Sequence, residues 1–408
     1  MKRISRRNFL KAMGISATAL TLAACGGSSS STAAGTAGST AASAVATGEP
    51  KAGGTLRLCY SSPIATPGYT PRATGNAAIY YLTLSYESLT SYDAEGNMIP
   101  NLATEWDVNT DELSITWTLR EGVNFADGEP FNAEAVKRNI EEYQANNRTE
   151  TANIASCEVI DDTHIKMMMA EPNSSTLESV GFFVYYMSPK ALENPSSLDA
   201  ATCGTGPFQL SEFENNAYAI YTKNENYWKE GLPYLDSVEV TLVTESSTAN
   251  TAFQANEYDM YWVGLANPTI LQQLDGAGIY VKEDNQNGMG VESLGLIPNF
   301  ATIAPDLGLY MGRHLDKNGA YYAKGIQHPD KEMELLEEIR RCMDPDEKHK
   351  LEKELQAAIY DAEDGSCLFG RVLYVNKSSM YKYDYVIDDH ATEAFTACWD
   401  LSACWLNK

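Results

Sequence analysis

Residues 116–136 have the sequence TWTLREGVNFADGEPFNAEAV, and this stretch decides the fold class. Its first residues alternate polar and apolar side chains, as a half-buried β-strand does. Asp127-Gly128 is a turn signal, and Asn132 follows as the N-cap of a predicted helix. Apolar residues recur on one face of that helix at Val136, Ile140 and Tyr143. A strand, a turn and a capped helix in succession predict a mixed α/β protein.

Similar patterns occur along the rest of the chain. Predicted strands lie at Gly54–Tyr60, Cys157–Ile160, His164–Met169, Tyr218–Tyr221 and Val238–Val243. Predicted helices lie at Asn76–Leu89, Glu332–Met343 and Glu347–Asp361. The last helix is expected to be capped by Asp344, to have Pro345 at its first position and to be closed by Gly365. Because no simple βαβα repeat appears, we expect interleaved lobes rather than one doubly wound sheet.

The N-terminal residues predict export and a lipid anchor. Residues 5–11 (SRRNFLK) resemble a twin-arginine export signal, and Leu22-Ala23-Ala24-Cys25 resembles a lipobox. The resemblance implies cleavage before Cys25 and lipid attachment to its sulfur. Residues 12–24 are shorter than the roughly 20 apolar residues that span a bilayer, which argues against a membrane helix. Basic leaders occur in both export routes, so the choice between the twin-arginine and the general route stays open.

The expected mature chain is strongly acidic. Removing the five basic residues of the leader from the formal net charge of −25 leaves −30. Such a surface repels phosphate backbones and anionic headgroups, which excludes nucleic acid as an expected partner and leaves the lipid anchor as the membrane contact. Residues 26–52 are mostly Ser, Thr, Ala and Gly and are expected to form a disordered tether.

The reactive residue types show no catalytic or metal-binding pattern. Apart from Cys25 there are seven cysteines at irregular spacing, which is not a disulfide framework. Cys398 and Cys404 could pair across a turn, and free thiols are the alternative. The sequence lacks C-x-x-C, H-x-H and H-E-x-x-H, and it lacks the G-x-S-x-G nucleophile motif. We therefore expect no cofactor and no enzymatic activity.

Eight short motifs in series resemble the family 5 extracellular solute-binding proteins, the peptide and nickel receptors of ABC importers. The motifs are GGTL (53–56), YESL (86–89), PNLATEW (100–106), WTLREGVNF (117–125), DGEPFNAEAV (127–136), GTGPF (204–208), NENYW (224–228) and AFQANEYD (252–259). Four aromatic residues in or beside them are expected to be mainly core residues: Trp106, Trp117, Tyr227 and Trp228. Gly204 and Gly206 are expected where the backbone is tight and crosses between lobes.

The resemblance implies a bilobal, periplasmic-binding-protein-like clamshell with an extra subdomain. Residues 1–25 would be the signal peptide and 26–52 the tether. Lobe I would comprise residues 53–85, 201–285 and 379–408. Residues 86–200 would form the extra subdomain, and 286–378 lobe II. This second lobe is expected to be shortened, because the arginine-containing P-F-x-D-x-R-V-R segment of the family is missing after Asp259.

The family function implied is capture of a small solute, most simply a peptide, for delivery to ABC permease subunits. The receptor would be a lipid-anchored monomer on the extracytoplasmic face of the membrane. The shortened lobe leaves two alternatives open. One is a degenerate or repurposed protein acting in sensing or adhesion. The other is a nickel or metallophore receptor, for which His314 is the nearest histidine.

Two places are candidates for ligand contact. In peptide-binding relatives a loop after the first strand lines the cleft, and counting back from the YESL motif places it at Thr74, Gly75 and Asn76. A surface turn would have the same composition. Asp306 is the nearest counterpart of the acidic residue that binds the ligand's amino group in relatives. It could equally be a helix cap or a solvated loop residue.

Overall fold

The computed structural model describes residues 49–61, 67–73, 76–93, 97–263, 268–293, 298–301, 307–317, 322, 328–361, 369–388 and 400–408. Cys25, Thr74, Gly75 and Asp306 lie outside these residues, so their predicted roles stay predictions. Within the described ranges, no helix combines the length and apolar character needed to cross a membrane.

Strands and helices alternate irregularly along the chain. The strands are β1 (Thr55–Tyr60), β2 (Thr90–Tyr92), β3 (Met98–Pro100), β4 (Ala103–Asn109), β5 (Ser114–Leu119), β6 (Ile154–Asp161), β7 (His164–Met169), β8 (Phe208–Glu214), β9 (Tyr218–Lys223), β10 (Ser237–Leu242), β11 (Met260–Val263), β12 (Val281–Ser293), β13 (Pro298–Ala301), β14 (Phe369–Lys382), β15 (Val386–Ile387) and β16 (Trp405–Leu406). The helices are α1 (Asn76–Ser85), α2 (Ala133–Ala145), α3 (Thr176–Phe182), α4 (Ser246–Gln254), α5 (Pro268–Ala277), α6 (Leu307–Leu315), α7 (Asp330–Arg341) and α8 (Pro345–Ile359).

The described residues form one large mixed sheet with the strand order β13-β12-β14-β11-β1-β10-β9-β8. Strand β1 lies inside this sheet and runs parallel to both of its neighbours, β10 and β11. The other neighbouring pairs are antiparallel. A strand with parallel neighbours is normally covered on both faces, and β1 fits this rule because Leu58 and Cys59, on opposite faces, are both fully buried.

A second sheet, with the order β4-β5-β7-β6, forms the four-stranded unit together with α2 and α3. The Asn132 side chain accepts a hydrogen bond from the Ala135 amide and caps α2, as the sequence predicted. The predicted apolar face of that helix is buried, and Trp117 of β5 is fully buried in the same core. Two short ladders, β2-β3 and β15-β16, complete the described sheets.

Strands β12 and β14 are the longest described strands and pair with each other along most of their length. The chain passes from β12 to β13, which is also in the large sheet, then through α6, α7 and α8, and returns to the sheet at β14. These three helices form the helical unit, whose apolar core is made by Met311, Leu315, Leu335, Leu336, Ile339, Leu355, Ala358 and Ile359. Asp344 caps α8 and Pro345 is its first residue, which confirms that part of the prediction. The division of the chain into lobes stays a prediction.

Three predicted helix ends are wrong, and one of them is that of α7, which ends at Arg341 rather than at Met343. Helix α1 ends at Ser85 rather than at Leu89, because the Ser85 carbonyl accepts a hydrogen bond from the Gly206 amide at 3.0 Å and the residues after it follow a different path. Helix α8 ends at Ile359, where the Tyr360 amide donates to the Gln356 carbonyl. The helix therefore ends at its own C-cap, Tyr360, and Gly365, which was predicted to close it, lies outside the described residues.

Four of the described cysteines are free thiols: Cys59, Cys157, Cys203 and Cys342. Burial raises the pKa of the Cys59, Cys157 and Cys203 thiols to about 12, which keeps them protonated and unreactive at neutral pH. Cys404 is buried, and its predicted partner Cys398 lies outside the described residues. The pairing of these two cysteines therefore stays a prediction.

Candidate functional site

The topology of the large sheet marks a candidate site at the carboxyl ends of β1 and β11. After β10 the chain crosses through α4 to β11, which lies on the other side of β1. The strand order therefore changes direction around β1. In open α/β sheets, ligands bind in the crevice outside the carboxyl ends of the strands at such a switch point.

An aromatic cluster of Tyr60, Tyr80, Tyr81 and Trp262 lies at this point. Tyr60 is the last residue of β1, and its ring centroid is 4.5 Å from that of Trp262, 5.1 Å from that of Tyr81 and 5.7 Å from that of Tyr80. The three tyrosines are buried, whereas Trp262 on β11 is only partly buried. The cluster therefore places a partly buried indole, packed on three buried tyrosines, near the carboxyl end of β11.

The predicted loop residues lie next to this cluster in the chain. Residues 61–75 connect the end of β1 to α1, and Asn76 is the first residue of that helix. Asn76 precedes Tyr80 by four residues, which in a helix corresponds to about 6 Å along the axis. A role of Thr74, Gly75 and Asn76 in ligand contact stays a prediction.

The histidine considered for nickel lies in the core of the helical unit. His314 is on α6 and has 2 % of its surface exposed, because α6 packs against α7. Among the described residues, no three His, Cys, Asp or Glu side chains are arranged to hold a metal ion.

Glu87, from the YESL motif, is a buried carboxylate that joins three of the motifs. Its Oε2 accepts hydrogen bonds from the Thr205 hydroxyl at 2.9 Å and from Trp228 Nε1 at 2.8 Å. Its Oε1 lies 3.5 Å from the hydroxyl of Tyr227. Residues that are far apart in the sequence therefore meet at one carboxylate, which fixes the segment between α1 and β2 against the segments before β8 and before β10.

Burial raises the pKa of Glu87 to about 7. The nearby Lys229 ammonium and the two hydrogen bonds oppose this effect, and Asp400 adds to it. The ring of Trp228 is contacted by two cations, with the Arg120 guanidinium 4.6 Å and the Lys229 ammonium 5.3 Å from its centroid. Such cation–π contacts fix the indole that donates to the carboxylate.

The two glycines of the GTGPF motif are required by a close approach of the backbone. A Cβ on Gly204 would lie 2.1 Å from the Ser85 carbonyl oxygen, and a Cβ on Gly206 would lie 2.6 Å from the Ser85 carbonyl carbon. This confirms the expected tight backbone. That the chain crosses between lobes here stays a prediction.

Asp259, at the end of the AFQANEYD motif, is a second buried carboxylate with a structural role. It accepts hydrogen bonds from the backbone and the guanidinium of Arg57 at 2.8–3.0 Å, from the Tyr385 hydroxyl at 2.8 Å and from the Lys408 ammonium at 2.9 Å. Burial alone would raise its pKa, but these hydrogen bonds outweigh burial and lower it to about 2. The carboxylate stays ionised and holds β1 to β11 at the end opposite the aromatic cluster.

The sequence analysis missed Tyr60 and Trp262. It treated four other aromatic residues as core residues; Trp117 and Tyr227 are buried, whereas Trp106 and Trp228 are partly buried. The available signal was an aromatic residue at the end of a strand that is followed by a long connection. That signal gains meaning only when the strand order shows that the two strands are neighbours.

Comparison with known proteins identifies the family. The model of the bacterial extracellular solute-binding proteins, family 5, middle region, matches residues 97–303, which is half of the chain. The nickel-binding periplasmic protein of Escherichia coli K12 is 29 % identical over 203 residues, covering 48 % of this chain and 38 % of that protein. The glutathione-binding protein GsiB of Salmonella typhi is 34 % identical over 181 residues, covering 42 % of this chain and 35 % of that protein. The matched part therefore spans little more than a third of these relatives.

A solved structure extends the fold similarity over most of the chain. The ABC transporter-associated periplasmic binding protein DppA of Helicobacter pylori, in complex with the peptide STSA, superimposes with a TM-score of 0.66 at 17 % identity. The superposition covers 88 % of this chain and 99 % of that one. The mixed α/β fold predicted from the sequence is therefore that of the periplasmic binding proteins. The chain belongs to the family 5 bacterial extracellular solute-binding proteins.

Proposed function

We propose that this protein is an extracytoplasmic receptor that captures a peptide and delivers it to the permease subunits of an ABC importer. The observation that carries the proposal is the match of residues 97–303 to a family of solute-binding proteins. Peptide as the solute is supported by two relatives, because glutathione is a tripeptide and DppA is bound to the peptide STSA. The chain has the role of a binding protein and not of an enzyme in this proposal.

The crevice at the carboxyl ends of β1 and β11 is the proposed binding site. Trp262 offers the partly exposed face of the aromatic cluster, on which an apolar side chain of the peptide would lie. The predicted loop Thr74–Asn76 would border the same crevice, since it connects β1 to α1. Backbone groups of such a loop bind the peptide main chain without regard to its side chains.

Calorimetry with an equimolar pool of dipeptides to pentapeptides tests the site. Trp262→Ala is expected to weaken binding by about tenfold, since an aromatic contact contributes up to about 1.5 kcal/mol beyond the area it buries and tenfold corresponds to about 1.4 kcal/mol. Trp106→Ala removes an equally large, partly buried ring from the four-stranded unit and should leave the affinity unchanged. Equal affinities of the two variants would exclude Trp262 from the site. Absence of binding to the wild type would exclude a peptide receptor and favour a repurposed protein.

Asp306 is the proposed partner of the peptide's amino group. Removing one partner of a buried charge pair costs about 2–5 kcal/mol, so Asp306→Asn should weaken peptide binding at least tens-fold. Asp346→Asn, which changes an exposed carboxylate at the start of α8, is the control. Equal binding by Asp306→Asn and wild type would show that Asp306 is not the anchor.

The lipid anchor at Cys25 is tested separately. Lipid attachment needs the cysteine thiol, so Cys25→Ser should abolish labelling by a palmitate analogue and release the protein from the membrane fraction. Equal labelling of the variant and the wild type would rule out this anchor, whatever the ligand proves to be.

A metal chelate is a second candidate solute, favoured by the 29 % identity to a nickel-binding protein. Nickel alone and nickel with an excess of histidine can be titrated in the same calorimeter. Heat of binding with either probe, competing with the peptide pool, would favour this candidate. Binding of the peptide pool with no response to nickel would exclude it.

A further inference from the structure

The helical unit lies in the chain between β13 and β14, and the ladder between β12 and β14 is irregular. Its register shifts between Gln286 and Gly288, between Gly290 and Val291, and between Val291 and Ser293. Such irregularities interrupt the regular hydrogen bonds and let a strand pair bend. The region where the two strands extend past β11 is therefore suited to act as a hinge.

Away from these strands, the helical unit contacts the four-stranded unit at one end of α7. The Ser174 amide donates to the Arg340 carbonyl at 2.8 Å, and the Ser174 hydroxyl donates to the Ile339 carbonyl at 3.3 Å. The last carbonyls of a helix lack the usual partner four residues later, so an outside donor satisfies them well; the Ile339 carbonyl also accepts from the Cys342 amide at 3.3 Å. Ser174 lies in the turn between β7 and α3 and is 165 residues away from Ile339 in the sequence.

An apolar contact accompanies these hydrogen bonds. Met343, two residues after α7, packs against the core of the four-stranded unit and not against the core of its own unit. The end of α7 is in turn fixed to α6, because Arg340 forms a two-point ion pair with Asp316 at 2.5 and 3.1 Å. Gly312 leaves room for this pair, since a Cβ there would lie 2.2 Å from the Arg340 guanidinium.

We propose that Ser174, the end of α7 and Met343 form a closure latch between the four-stranded unit and the helical unit. The latch closes when the β12–β14 pair bends towards the bound solute and opens when the solute leaves. It therefore sets part of the affinity and of the release rate. This inference rests on the proposed function, because closure on a solute is what gives the latch its role.

The size of the contact suits a reversible device. Two hydrogen bonds and one partly buried side chain form a small contact area, and the bonds use backbone carbonyls that water satisfies when the latch is open. A ligand shifts such an equilibrium by its difference in affinity for the two states. Loss of the Met343 contact is expected to shift the equilibrium towards the open form by about tenfold.

Hydrogen exchange of the Ser174 amide in ligand-free protein tests the latch without knowledge of the solute. The amide should exchange about tenfold or more faster than the amides of β5 around Trp117, because the latch opens while both units stay folded. Met343→Ala should raise the exchange rate of the Ser174 amide further by about tenfold and leave the exchange rates of the β5 amides unchanged. Met333→Ala removes a methionine that packs inside the helical unit. It should leave the ratio of the exchange rate of Ser174 to that of the β5 amides unaltered. Exchange of Ser174 only together with β5, or equal rates in the two methionine variants, would overturn the proposal.

The second arm uses the pool of dipeptides to pentapeptides. If calorimetry detects binding, the pool should slow exchange at Ser174 in the wild type, and Met343→Ala should raise the dissociation rate by about tenfold. Binding that leaves Ser174 exchange unchanged would show a fixed contact and overturn the latch. If no peptide binds, the proposed function fails for peptides, and the ligand-free comparison alone decides on the latch.

Discussion

Replacement of Glu87 by glutamine is expected to change the pH dependence of stability in a defined direction. Burial raises the pKa of this carboxyl from an ordinary 4.5 to about 7, which means that the folded protein binds the proton more tightly than the unfolded chain. The carboxyl therefore contributes stability that is fully present below pH 4.5 and is lost as the pH rises through about 7.

The magnitude follows from the difference between the two pKa values. At about 1.4 kcal/mol for each pKa unit, the difference corresponds to about 3 kcal/mol of unfolding free energy. Glutamine has nearly the same shape, still accepts a hydrogen bond from Trp228 or Thr205 through its amide oxygen, and does not titrate. The variant should therefore gain about 3 kcal/mol relative to wild type between about pH 4 and pH 8.

Urea unfolding followed by near-ultraviolet circular dichroism at several pH values measures this difference. Glu141→Gln makes the same substitution at an exposed carboxylate on α2 and serves as the control. A constant difference between Glu87→Gln and wild type across the same range would refute the assignment of Glu87 as a buried carboxyl that protonates near neutral pH.

Three further substitutions test the packing by thermal or urea unfolding. Trp117→Ala removes a fully buried ring and should cost about 3–5 kcal/mol; an unchanged midpoint would contradict its burial. Asp259→Asn should lower the unfolding free energy by about 2 kcal/mol at neutral pH, and this loss should disappear as the pH falls from about 4 to 2. A loss of unfolding free energy that persists in acid would contradict the lowered pKa of Asp259. Gly204→Ala forces a Cβ to within 2.1 Å of the Ser85 carbonyl oxygen and should destabilise the folded protein. The control, Gly276→Ala on α5, places a Cβ that meets no atom within 4 Å and should be neutral or stabilising. Equal effects of the two substitutions on the unfolding midpoint would contradict the close approach at Gly204.

Local elements were predictable because their signals are local. The alternation before Leu119, the turn at Asp127-Gly128 and the cap at Asn132 depend on residues within one or two turns of each other, and the structure has all three. The end of α1 was not predictable in this way. Its last residues have helical propensity, but the Gly206 amide and the Thr205 hydroxyl, which lie more than a hundred residues later, hold the chain after Ser85 in another conformation.

The candidate site was even less predictable from neighbouring residues in the sequence. Tyr60 ends β1 and Trp262 is the last residue but one of β11, and nothing near either residue in the sequence indicates that the two rings are 4.5 Å apart. Their contact depends on β11 pairing with β1, which is a property of the whole sheet. The family motifs, in contrast, identified the scaffold because their residues meet in buried hubs at Glu87 and Asp259, and such hubs tolerate few substitutions.

The central position of β1 has a consequence for the order in which the chain folds. Its first residue, Thr55, pairs with Ser237, which is 182 residues later, so this strand leaves the ribosome long before its partners exist. The four-stranded unit has all of its strand partners between residues 103 and 169, so its loops close over much shorter distances. Because folding slows as the sequence separation of contacts grows, the four-stranded unit should acquire structure first and the large sheet last. The proposed binding crevice, which needs β1 beside β11, is then among the last features of the molecule to form.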